Sequence, residues 1–154
     1  MGKTMMDVSR WAAACRETEQ AHAAILKSLH RLEDALLASD TASEWKAHVH
    51  RELVGLLELL EQHRRTAAPP TGLLGLIDLH GHSRGVTDLV ASHERLLDDA
   101  QSLLQALSSE AHIQARYSPF RRDAARLGAD VRAHEAQESA LIYETDVRVS
   151  GGEG

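Results

Sequence analysis

Apolar residues recur at steps of three and four along four long stretches of this chain, and strict alternation is absent. In the first stretch the stripe includes Ile25, Leu29, Leu32 and Leu36. In the second it is Trp45, Val49, Leu53, Leu56 and Leu60; in the third Val86, Leu89, Val90, Leu96, Leu97, Ala100 and Leu104; in the fourth Ala124, Leu127, Val131, Leu141 and Ile142. Steps of three and four put side chains on one face of an α-helix. The intervening positions are rich in Ala, Glu, Arg and Gln, which are good helix formers. No Val/Ile/Thr-rich alternation or Asn-Gly turn suggests a hairpin.

Punctuation between the stretches sets the helix limits. The first helix is predicted from about Asp7 to Leu37. Thr41-Ala-Ser-Glu44 reads as a capping box that opens the second, and Pro69-Pro70 closes it. The segment GLLGLIDLHGHSRG holds four glycines in fourteen residues and predicts a helical turn over Leu73 to Leu79, then a loop. The third long helix is expected from Ser83–Val86 to about Leu107. Ser118-Pro119 resembles an N-cap followed by proline at the first helical position of the fourth. The sequence VSGGEG is expected to end it, because paired glycines cost helix stability. Four amphipathic helices with mostly short connections predict an all-α, up-down-up-down four-helix bundle. The expected organisation is one domain over residues 1–148 with a Gly-rich tail over 149–154.

Composition narrows the partners. With 154 residues, 43% of them hydrophobic, the chain is long enough for a real core. It carries 17 basic against 23 acidic side chains, a net charge of −6. No basic stripe suggests nucleic acid, and no cationic face or spanning apolar run suggests a membrane. The opening MGKTMMDVSRWAAACRE shows no apolar leader, and the single Cys15 cannot form an internal disulfide, so a reduced, cytoplasmic protein is the expectation. Cys15, in an alanine-rich segment, reads as a small buried residue.

Ten histidines in a chain with only 3% aromatic residues change the picture. His22 precedes Ile25 by three and Leu29 by seven. His63 follows Leu60 by three and Leu56 by seven. His93 lies four from Leu89 and four from Leu97. His134 follows Val131 by three and Leu127 by seven. Each long helix therefore directs one histidine at the bundle axis. In an antiparallel bundle the four fall at one end, at levels agreeing within about 10 Å at the helical rise of about 1.5 Å per residue. Glu138 adds a carboxylate one turn beyond His134. One histidine on an apolar face is most simply a core residue bonded to a carbonyl or water. Four at one level are harder to explain separately, because burying imidazoles costs desolvation. Neutral imidazoles converging with a carboxylate suit iron, zinc or a similar ion.

The order His22, His63, His93, His134-x-x-x-Glu138 resembles the hemerythrin-like (HHE cation-binding) domain family over roughly residues 18–148. The phrases AHAAILKSLHRLEDAL, LLELLEQHRRT, ASHERL and HEAQESALIYE carry the resemblance. It implies a four-helix bundle holding non-haem iron as a di-iron centre, with His22, His63, His93, His134 and Glu138 as metal ligands. It further implies that dioxygen or another diatomic is the partner, for sensing, carriage or storage. The family usually places a glutamate four residues after the second-helix histidine; here that residue is Ala67. Leu89 and Leu97 stand where the third helix often has a second ligand. Glu19, one turn before His22, and the loop pair His80 and His82 are the available substitutes, though each reads more simply as an ordinary polar residue. A mononuclear or empty site is the other outcome.

His30, His48, His50 and His112 are expected at the surface. Glu135 is expected to point about a hundred degrees away from His134. His134-Glu135-x-x-Glu138 lacks the second histidine of a zincin, Glu19-x-x-His22 lacks the matching unit of a ferritin-like centre, and no catalytic motif predicts an enzyme. A bundle without metal, serving as a structural or partner-binding module, is the alternative reading, with Ala67 its main support.

Overall fold

The structure, a computed structural model, describes residues 2–38, 41–109 and 119–151. Among these all regular structure is helical: α1 (Gly2–Leu37), α2 (Ala42–Ala67), α3 (Leu73–Leu79), α4 (Ser83–Ser108) and α5 (Pro119–Gly151). The proposed cap at Ser118, the surface reading of His112 and the last three residues of the tail lie outside the described residues.

Local chemistry accounts for most helix limits. The Thr41 hydroxyl accepts from the Glu44 amide at 3.3 Å while the Glu44 carboxylate accepts from the Thr41 amide at 3.4 Å, completing the capping box. Ala68 is extended (φ −61°, ψ 141°), as expected for a residue before proline, and α2 stops there. α3 folds back on the turn that follows α2, where a Cβ added at Gly75 would overlap the Pro70 carbonyl. Gly81, with φ 90°, makes the turn into α4.

Two limits differ from the sequence expectation. α1 begins at Gly2 rather than near Asp7, and the residues between contain no proline or further glycine to stop it. α5 runs on to Gly151. Val149 packs against buried apolar residues there, so tertiary contact outweighs the weak local propensity.

The four long helices pack as a ring, α1 against α2, α2 against α4, α4 against α5 and α5 against α1, with α3 touching all four. The Trp45 indole, at the start of α2, donates to the Leu36 carbonyl at the end of α1 (3.2 Å). The Trp11 indole, early in α1, donates to Asp146 late in α5 (2.9 Å). Arg148 reaches the His80 carbonyl (2.8 Å).

The interior has two apolar clusters. The larger includes Ile25, Leu29, Trp45, Leu53, Leu56, Leu97, Leu107 and Leu127. The smaller, built around α3, joins Trp11, Ala67, Leu73, Leu74, Ile77, Val86 and Leu89. Cys15 is half-buried beside it; burial first, then the charges of Asp146 and Glu19, push its thiol up to about 11. No helix among the described residues is long and apolar enough to cross a membrane.

Candidate metal centre

A polar layer interrupts these hydrophobic stripes. His63 sits between Leu60 of the larger cluster and Ala67 of the smaller, and His93 between Leu89 of the smaller and Leu97 of the larger. His63, His93 and His134 are 3–4% exposed, and Glu138 is fully buried. His22 is the most open of the set, its side chain 13% exposed.

All four imidazoles turn Nε2 toward the Glu138 carboxylate, in pairs. His22 and His63 each donate to Oε1 at 2.7 Å. His134 contacts Oε2 at 3.2 Å and His93 approaches the same oxygen at 3.3 Å. Adjacent rings follow one another around the carboxylate, with centroids 5.4 Å apart for His22 and His63, 5.1 Å for His63 and His93 and 4.3 Å for His93 and His134.

The electrostatics follow from this crowding. Burial pushes the Glu138 carboxyl up, but the imidazoles of His134, His22, His63 and His93 outweigh it and hold the group well below the usual carboxylate range. Burial dominates at His93, aided by His134 and His63, and its pKa is lowered. At His22 burial acts in the same direction but loses to Glu138, Glu135 and Glu19, and the pKa is raised.

Two buried polar neighbours of the cluster were not identified from the sequence. The Ser92 hydroxyl lies 2.7 Å from His134 Nδ1 and is buried with it. A hydroxyl can donate or accept, so Ser92 can hold this ring in either tautomer. Its neighbour His93 gave no hint of the role, because the contact joins α4 to α5. The second is Glu135. Set about a hundred degrees from His134, it is nonetheless only 8% exposed, and its Oε1 is enclosed without a hydrogen-bond partner. Around the site the buried residues on α5 include Leu127, Gly128, Val131, His134, Glu135 and Glu138, an arc wide enough to include a residue a hundred degrees from His134. That two-residue width was the available signal.

The sequence-level substitutes lie elsewhere. Glu19 is exposed. His80 Nδ1 bonds the Leu76 carbonyl at 2.8 Å and its ring faces Trp11. His82 is half-buried with Nε2 unpartnered. Neither loop histidine is in the cluster around Glu138. Ala67 is buried in the smaller apolar cluster.

His63, His93, His134 and Glu138 offer ligand atoms that all lie within 4.8 Å of one another, so this buried group could hold a metal ion. Ligands about 2.1 Å from one ion are at most about 4.2 Å apart, so small side-chain shifts would close the group on an ion. His93 Nε2 supports the fit: it is buried, faces the cluster and has no hydrogen-bond partner. Comparison with known proteins gives no match: no family model, no curated protein and no solved structure matches this chain. What the site can do therefore rests on its own geometry.

Proposed function

We propose that this chain is a hemerythrin-like metal-binding bundle in which His22, His63, His93, His134 and Glu138 hold two non-haem iron ions. The observation that carries the reading is the pairing at Glu138: two imidazoles face one carboxylate oxygen and two face the other. Glu138 would be the carboxylate held in common, with His22 and His63 serving from one side of it and His93 and His134 from the other. The end-to-start contacts of α1 with α2 and α5 support the up-down-up-down arrangement of the four long helices.

Held by these residues, iron would supply reversible one-electron chemistry and affinity for dioxygen or a similar diatomic, suited to sensing, carriage or storage. The protein's part is to present neutral imidazole nitrogens, fix the carboxylate between them and keep bulk water out with the apolar clusters on either side. Ser92 orients His134 by accepting from Nδ1–H when Nε2 serves as a ligand.

A second reading has its own support. The 2.7 Å contacts of His22 and His63 already satisfy Glu138 Oε1, so the cluster can be a metal-free hydrogen-bonded clasp in a structural or partner-binding module.

Iron content per chain, measured on untagged protein supplied with Fe(II), separates the two. Near two ions is expected; no metal in a folded sample selects the clasp. His63→Ala and His134→Ala should each lose iron, whereas His48→Ala, a change at a half-exposed residue near Glu52, should retain it. Equal behaviour of all three would remove the cluster assignment.

A further inference from the structure

Glu135 is buried at 8% exposure, yet its Oε1 has no hydrogen-bond partner. Enclosing a carboxylate oxygen without a donor or a cation is costly. The cation nearest along its own helix is committed elsewhere: Arg132 donates to Glu33 at 2.7 and 3.2 Å. His134 faces α4 through Ser92, and Arg132 faces α1 through Glu33. At about 100° per residue Glu135 falls between Glu138 and Arg132 around α5, on the side of α1 and His22, and His22 and His63 are the pair on Glu138 Oε1. The opposite pair has a different supporting group, Ser92 on His134.

We propose that Glu135 supplies a second carboxylate ligand, through Oε1, to a cation on the His22–His63 side of the centre. This rests on the metal-binding reading above and adds an asymmetry to it. One half offers two imidazoles, a shared carboxylate and a private carboxylate. The other offers two imidazoles and the shared carboxylate alone. The first half is more anionic and richer in oxygen, so it should bind a hard divalent cation more tightly and fill first.

Anaerobic titration of the metal-free full-length chain with Fe(II) alone, following bound ions per chain and affinity, tests this. Wild type should bind two ions. Glu135→Gln matches a neutral carboxylic acid in shape but has no anionic oxygen. It should retain one ion per chain, the remaining affinity within about threefold of the weaker wild-type site, or lose at least tenfold in affinity at the tighter site. Metal-free Glu135→Gln should melt no lower than metal-free wild type, since an unpartnered carboxylate has been removed. If that variant fails to fold, Glu135→Asp decides: it keeps the charge on a shorter arm and should weaken one ion by tenfold or more while leaving the other.

The outcomes are distinct. A folded wild type that binds no ion overturns the metal reading itself. A wild type that stops at one ion overturns the second cation. Two ions in wild type and two, with unchanged affinities, in the Glu135 variant overturn the role of Glu135 alone.

Discussion

Two turns of helix separate Leu56 from His63 on the same face of α2, and both are hidden, at 0% and 4% exposure. They are buried for different reasons. In the larger cluster that holds Leu56, residues such as Leu29, Leu53 and Leu97 gain by leaving water, and no neighbour must stand in one orientation for the gain to exist. Around His63 the benefit depends on partners: Glu138 is tolerable in the interior because imidazoles face it, and the imidazoles because Glu138 accepts from them. One layer is stable by composition, the other by arrangement. In the polar layer a single deletion therefore reaches several helices at once.

The largest expected effect is that of Glu138→Ala. It strips the acceptor from histidines on three of the long helices and the carboxylate that His93 approaches on the fourth, should abolish iron binding, and should cost the metal-free protein about 3–5 kcal/mol, the range for breaking a buried ionic arrangement. Leu56→Ala is the matching change in the apolar layer. It should cost about 2–5 kcal/mol by leaving a cavity, yet iron content should stay at the wild-type value wherever the variant folds. Urea unfolding together with metal analysis checks both. If Leu56→Ala also lost its iron while folded, the two layers would not be separable.

Iron itself should sharpen the contrast. A ligand that binds only the folded state at a hundred times its dissociation constant stabilises by about 2.7 kcal/mol. Melting of wild type and of Leu56→Ala should rise alike on adding Fe(II) and fall again with chelator, while Glu138→Ala should not respond.

A smaller effect is expected on acidification. The folded-state pKa of Glu138 is held below its unfolded value of about 4.3. Its stabilising contribution is therefore complete above about pH 4.3 and is lost as pH falls toward the folded value. Below that pH the metal-free wild type should lose stability relative to Glu138→Gln by up to about 1.4 kcal/mol per pH unit. Parallel stability curves for the two proteins would place the acid limb elsewhere. The smallest change is Ser92→Ala, which leaves the cluster around Glu138 in place and frees only one ring. It should weaken iron binding roughly tenfold, the low end for a group that orients a ligand, with stoichiometry unchanged in the same titration.

Much of this was legible along the chain because it is local. Thr41 and Glu44 announced the start of α2, the residues ahead of Pro69 its end, and His22, His63, His93 and His134 stood in phase with stripes most of whose leucines are buried, Leu36, Leu104 and Leu141 being partly buried and Val90 exposed. The misreadings share one cause. Glu135 was judged by its angle from a single histidine, whereas burial on α5 spans an arc set by the helices on either side. Ser92 was overlooked because its partner lies on another helix. The preferred reading of Glu19 and His80 as ordinary polar residues agrees with the structure, for one faces solvent and the other bonds its own turn.

The sequence by itself determined that the chain is helical, where the main helix breaks fall, and that each long helix carries a histidine on its apolar face, because these follow from a period of 3.6 residues and from backbone sterics. Tertiary structure decided that four Nε2 atoms divide between the two oxygens of one carboxylate, that Ser92 reaches His134, and that Glu135 is enclosed while Glu19 is not. Those outcomes depend on the relative height and rotation of neighbouring helices. A shift of one turn or a rotation of tens of degrees leaves every stripe intact and moves the ligands apart, so the pattern along one helix cannot fix them.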